Sequence, residues 1–147
     1  MTTDDPLRLW LRLFTCSTLI ERELGARLKR SFGSSLPRFD LLAQLDRAPD
    51  GLRMTTLSQR LLVTGGNVTW LVTSLARDGH VRRTRATDDR RAVVVTLTPS
   101  GRRHFRQMAR AHHGWVEALM APLAPAARRA TFDHLGVLKR QFAPESP

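Results

Sequence analysis

The sequence predicts a mainly α chain with one small β-wing, and three observations predict it. Apolar residues recur at helical spacing through most of the 147 residues. Two-residue alternation is confined to two short runs, His80 to Arg85 and Ala92 to Leu97, separated by the polar stretch ATDDRR. Directly before this hairpin pattern, two short helical patterns are joined by the tight turn Val63 to Gly66. Two short helices, a turn and a hairpin, in that order, make a winged helix-turn-helix. The long helical patterns before and after it make flanking helices.

The chain in order supports each element. Residues Met1 to Asp5 precede the first helix, which starts at Pro6 and runs to Lys29 to Ser31. Leu7, Trp10, Phe14, Ser17, Glu21, Leu24 and Leu28 follow its helical spacing, and Leu13 and Ile20 widen the stripe. A stripe this broad near a terminus predicts burial against more than its own domain. Gly33 to Leu36 is a loop. Pro37 is an N1-type proline for a second helix carrying Phe39, Leu41, Leu42 and Leu45 to about Arg47. APDG is a turn, and Leu52 to Met54 adds a short strand to the wing. After the wing, Thr98-Pro-Ser-Gly opens a helix from Pro99 to Met120. Its apolar side carries Phe105, Met108, Ala109, His112, Trp115, Val116 and Leu119. Pro125 opens a final helix bearing Phe132, Leu135, Leu138 and Phe142, and the tail APESP is expected to be disordered.

The helix-turn-helix occupies Thr55 or Thr56 to Leu62 and Gly66 to Arg77 or Asp78. Thr55 or Thr56 caps the first helix, Thr64 caps the second, and Gly79 takes the αL position at its end. Val68, Leu71, Val72 and Leu75 form the inner face of the second helix. Asn67, Thr69, Trp70, Thr73, Ser74 and Arg77 form the outer face. Small polar groups with a cation suit base edges and phosphates, and a helix of this size fits a major groove. Trp70 either packs on sugar and thymine methyl or covers the wing. The tip ATDDRR carries Arg90 and Arg91, and an arginine at such a tip suits the negative potential of a minor groove.

Bulk properties fit a DNA-binding reading. The formal net charge is +11, and nearly all 24 basic residues are arginines. From Arg53 to Arg103 ten arginines stand against Asp78, Asp88 and Asp89, a net +7, so most of the excess charge lies on the proposed DNA-reading segment. Charge alone fits RNA, membrane or solubility as well. The apolar fraction of 41% permits one core. The single cysteine leaves no internal disulfide, which fits the cytoplasm, and neither a membrane span nor a signal peptide is expected. No GxSxG, phosphate loop, dinucleotide fingerprint or paired-carboxylate cleft is found, so no catalytic residue and no cofactor are expected.

VTGGNVTWLVTSLARDGHVRR followed by DDRRAVVVTLTPSGR closely resembles the MarR family of bacterial winged-helix regulators. The family's wing strand reads roughly DRRA-x-x-V-x-LT-x-x-G, matched by Asp89, Arg90, Arg91, Ala92, Leu97, Thr98 and Gly101. SLPRFDLLAQL and the long helix after the wing extend the likeness over nearly the whole chain, so residues 1–147 form one unit. Within it, 37–98 is the winged helix-turn-helix DNA-binding region, and 6–32 and 99–142 are dimerisation helices. The resemblance implies an obligate homodimer on double-stranded operator DNA, with recognition helices about one DNA turn (~34 Å) apart. The DNA-binding residues expected are Thr64, Gly65, Asn67, Thr69, Trp70, Ser74, Arg77, Arg85, Asp89, Arg90 and Arg91. Arg90 would enter the minor groove, and Asp89 would pair with Arg91 to hold the tip. The family further implies repression relieved by a small inducer, often an aromatic acid, bound between the dimer helices and the DNA-binding region. Trp10, Phe14, Arg38, Phe39 and Trp115 are the candidates for that site, with ordinary packing as the competing account.

Some members sense peroxide through a cysteine in the first helix. Cys16 has Arg12 one turn back, but Glu21 and Glu23 are near and the chain has no Tyr to hold a thiolate, so a small buried hydrophobe is the simpler account. His104, His112 and His113 show no metal-ligand spacing, and no metal is expected. A protein that coats DNA without sequence preference is the contrasting class.

Overall fold

A computed structural model describes residues 5–61 and 65–142. The elements are α1 (Pro6–Phe32), α2 (Leu36–Asp46), β1 (Leu52–Arg53), α3 (Met54–Leu61), α4 (Gly65–Arg77), β2 (Val81–Arg85), β3 (Val93–Leu97), α5 (Pro99–Met120) and α6 (Pro125–Arg140). The mainly helical chain with a small wing is therefore present as expected. Helix α4 starts one residue earlier than the sequence suggests. Leu62 and the proposed cap Thr64 lie outside the described residues.

Helix ends follow local chemistry. The Asp5 carboxylate accepts from the Leu7 amide at 3.1 Å with Pro6 at the first helical position. The Ser35 hydroxyl accepts from the Arg38 amide at 3.4 Å, again with a proline just inside the helix. Gly33 closes α1 in the left-handed region, with the Gly33 and Ser34 amides returning to the Lys29 and Leu28 carbonyls.

The three strands lie in the order β1-β3-β2, all antiparallel. Leu52 opposes Val95, and Arg85 opposes Val93. Gly51, at φ 87°, abuts this sheet so closely that a Cβ there would stand 2.6 Å from Thr96 Cγ2 and 2.7 Å from the Val95 carbonyl oxygen. Only glycine combines that backbone angle with that approach.

The chain divides into two compact units, Met1–His112 and His113–Pro147. The core lies in the first unit. It is built from Leu24 and Leu28 of α1, Phe39, Leu41, Leu42 and Leu45 of α2, Leu57 of α3, Val68, Leu71, Val72 and Leu75 of α4, Val81, Val95, and Met108 of α5. Each such side chain is worth ~1.5–3 kcal/mol of burial. The amino-terminal half of α1 contributes nothing to it: Leu7, Trp10, Leu11, Phe14 and Leu19 are exposed. Within the second unit α6 likewise leaves Phe132, Leu135 and Leu138 exposed. Among the described residues no helix is long and apolar enough to cross a membrane.

Helix α5 is set against the start of β2 by a compact joint. The Thr98 hydroxyl donates to the Gly79 carbonyl at 2.6 Å and accepts from the Gly101 amide at 2.9 Å, while the Thr98 amide donates to the His80 carbonyl at 3.1 Å. Gly101 lies so close to His80 that a Cβ would stand 1.9 Å from its carbonyl oxygen. The threonine and glycine of the LT-x-x-G pattern are thus a helix cap and a close approach. On the same joint the rings of His80 and His104 stack at 4.3 Å, and Arg102 pairs with Asp46 of α2 at 2.9 Å.

Candidate nucleic-acid interface

Helix α4 divides as its sequence spacing predicts. Val68, Leu71, Val72 and Leu75 are buried, while Asn67, Thr69, Trp70 and Arg77 are exposed. Gly65 opens the helix. The outer face is not uniformly open, however. Arg38 of α2 donates from Nη1 to the Ser74 hydroxyl and from Nη2 to the Asp78 carboxylate at 2.5 Å. Arg83 of β2 donates to the Thr73 hydroxyl at 3.2 Å. Ser74, expected to face DNA, is therefore a fastening point of α4 to α2. The exposed positions of the helix are Asn67, Thr69, Trp70 and Arg77. Trp70 leaves 65% of its surface exposed.

The wing is an arginine hairpin. Alternation along β2 puts Arg83 and Arg85 on the face of buried Val81, and the Arg83 bond to Thr73 marks that face as the side of α4. The expected Arg91–Asp89 pairing takes a different form. Asp89 Oδ1 accepts from the Arg91 backbone amide at 2.9 Å, and the Ala92 amide closes on the Asp89 carbonyl at 3.1 Å. An aspartate accepting from the amide two residues on is the favoured local fix for such a turn. It leaves the Arg91 guanidinium for other use. Arg53 of β1 fastens the tip from outside, with Nη2 reaching both Asp88 oxygens at 2.5 and 2.7 Å. Arg90, Arg91, Arg77 and Arg85 are exposed, and among the described residues none forms an ion pair.

Within the first unit, the residues expected to hold an inducer have separate surroundings. The Arg38 side chain is only 13% exposed and already engaged. Phe39 is buried against the rings of Phe105 and His112 at 5.4 and 4.6 Å. Trp10 and Phe14 contact each other at 5.6 Å on the exposed part of α1. Trp115 belongs to the second unit. Cys16, expected as a small buried hydrophobe, is exposed instead. Burial holds both His80 and His104 below the ordinary imidazole range, and for His104 the neighbouring His80 and Arg38 add to the effect.

The contacts missed from the sequence, Arg38 to Ser74 and Asp78 and Arg53 to Asp88, join residues 35 to 40 apart. No local pattern announces them. The Arg83 placement was available, since two-residue alternation puts it on the side of Val81.

The model of the MarR family matches residues 32–92. The transcriptional activatory protein BadR of Rhodopseudomonas palustris is 32% identical over 115 residues, 74% of this chain and 65% of BadR, so the match spans less than two thirds of that relative. The transcriptional repressor YetL of Bacillus subtilis is 33% identical over 118 residues, 78% of this chain and 68% of YetL. Among solved structures, a MarR family regulator from Streptomyces coelicolor in complex with DNA superimposes with a TM-score of 0.84. It covers 97% of this chain and 95% of its own at 24% identity, a likeness of fold.

Proposed function

The chain belongs to the MarR family and is a DNA-binding transcriptional regulator, and from that premise we propose a homodimer that represses from a pseudo-palindromic operator and is released by a small aromatic acid. The observation that carries this reading is the pairing of α4, buried on one face and open on the other, with a hairpin whose exposed Arg85, Arg90 and Arg91 form no ion pair among the described residues.

In this reading Thr64, Gly65, Asn67, Thr69, Trp70 and Arg77 meet the major groove. Arg85 and Arg91 bind phosphate, and Arg90 enters the minor groove from a tip shaped by Asp89. Ser74 acts through Arg38 by holding the helix. The exposed apolar residues of α1 and α6, Trp10 and Phe14 included, are dimer contacts, because side chains of this size left in water mark a surface meant to be covered. Two-fold symmetry then sets the two α4 helices on successive turns of one DNA face.

An inducer carboxylate would compete with Asp78 for the Arg38 guanidinium, which favours planar two-point pairing. Winning that contest unfastens α4 from α2, a shift that needs only a higher ligand affinity for the released state. BadR is named an activatory protein and YetL a repressor; in this reading one docking mode serves both signs, and operator position sets the outcome. Repression follows where the site overlaps a promoter.

The arginine content also supports a protein that coats DNA without preference. One assay separates the two: a labelled duplex from upstream of the gene against a shuffled duplex, over a salt series, with light scattering for the oligomer. A preference of ~10³ that survives physiological salt, carried by a dimer, supports the operator reading. Equal binding that collapses with salt supports coating. Benzoate-type acids are then screened for release of the preferred duplex.

A further inference from the structure

We propose that Trp70 is a specificity-determining residue that reads thymine methyl groups in the major groove. The inference rests on the reading of α4 as the recognition helix and deepens it.

An indole 65% exposed on a charged surface calls for an account. Its neighbours on the helix exclude an internal one. The side chains one turn onward, Thr73 and Ser74, have their hydroxyls bound by Arg83 and Arg38, so they face β2 and α2. Trp70 projects between these two fastenings, away from the core. Arg77 lies two turns onward on the same helix and Arg83 is bound to Thr73 one turn onward, so this side of α4 carries the positive charge that suits a polyanion.

The chemistry of that polyanion narrows the contact. Base edges in the major groove offer hydrogen-bond donors and acceptors and one apolar group, the thymine C5 methyl. An indole has one donor and a large apolar face, so the face can gain free energy only from that methyl or from sugar carbons at the rim. Trp70 lies in the first half of α4, the half that approaches base edges in helix-turn-helix docking. Phosphate contact at the rim is already within reach of the arginines. The inner position therefore favours the methyl.

The full-length protein is allowed to select from a random duplex pool. The preferred duplex is then resynthesised with deoxyuridine at single thymine positions, which removes the methyl and leaves the hydrogen-bonding edge. We expect a thymine in each half-site whose methyl is worth about fourfold in affinity, the equivalent of one buried methyl group, and about fifteenfold when both half-sites are stripped. Trp70→Ala should lose this sensitivity while still preferring the selected duplex over a shuffled one, and Trp70→Phe should retain part of it. Equal sensitivity in wild type and Trp70→Ala, or the absence of any uracil effect, overturns the proposal. Loss of affinity by Trp70→Ala on all sequences alike makes Trp70 a backbone contact and also overturns it. A wild-type protein that selects no sequence overturns the recognition-helix reading itself, an outcome distinct from the others.

Discussion

Replacing Gly101 with alanine tests the joint between α5 and β2. The added Cβ would stand 1.9 Å from the His80 carbonyl oxygen, 2.7 Å from the carbonyl carbon and 3.0 Å from the Cα. All three are backbone atoms, so no side chain can rotate away. Ordinary contact begins near 3.4 Å, so α5 must retreat by about 1.5 Å. That movement breaks or stretches the three bonds of Thr98 to Gly79, His80 and Gly101. Overpacking costs ~1–3 kcal/mol and each lost hydrogen bond ~0.5–1.5 kcal/mol, against a helix-propensity gain of ~0.5–1 kcal/mol for alanine. The net is a loss of about 2–4 kcal/mol, or roughly 5–15 °C in Tm for a chain of this size. Thermal unfolding followed by circular dichroism measures it. Gly25→Ala is the control, since its nearest neighbour, Leu36 Cδ1, lies at an ordinary 3.9 Å and the substitution should be neutral or stabilising. A Gly101→Ala protein as stable as the control refutes the joint as described.

Arg90→Ala should weaken operator binding roughly tenfold or more and lower the salt slope by about one per protomer, with the dimer intact by light scattering; unchanged affinity would remove the wing tip from the interface. Arg38→Met keeps the apolar stem but releases Ser74 and Asp78, so amide exchange at residues 76–78 should quicken and operator affinity fall severalfold; unaltered exchange would mean that α4 is held elsewhere. His80 and His104 are kept neutral by burial, whereas the unfolded chain protonates its histidines near 6.5. Their contribution is therefore fully present above pH 6.5 and is lost as the pH falls through 6.5 toward the folded values. The denaturant midpoint should drop from pH 7.5 to pH 6, less so in His104→Gln, and a flat profile would contradict this burial.

The fold was legible because its signals are local. The apolar positions of α4 repeat at helical spacing, and each is buried. The prolines at 6, 37, 99 and 125 each mark a helix start. At the wing the legibility ends where chemistry becomes non-local. Asp89 was identified as the residue that shapes the tip, but the partner is an amide rather than a guanidinium, because a carboxylate reaches the amide two residues on without ordering a long side chain. The outer face of α4 reads as one set of six outward positions, and Thr73 and Ser74 leave that set only when β2 and α2 are in place to supply Arg83 and Arg38. The two inducer candidates on α2 diverge for the same reason. Arg38 and Phe39 are adjacent in sequence, yet one turns to α4 and the other to α5.

These non-local contacts have a mechanical consequence for regulation. The end of α4 is fastened twice, to α2 through Arg38 and, by way of Gly79 and His80, to the first turn of α5 through Thr98. Arg102 pairs α5 with Asp46 of α2 and closes the triangle. The carboxyl end of α4, the start of β2 and the first turn of α5 are therefore joined to one another and to α2 by side-chain contacts. On the proposed reading, a rotation of α2 or α5 would reach the exposed face of α4 through Arg38, Thr98 and the Arg102–Asp46 pair. Substitutions at Arg38, Asp46 and Thr98 should accordingly alter the free-energy difference between bound and released arrangements while the DNA contacts themselves stay intact.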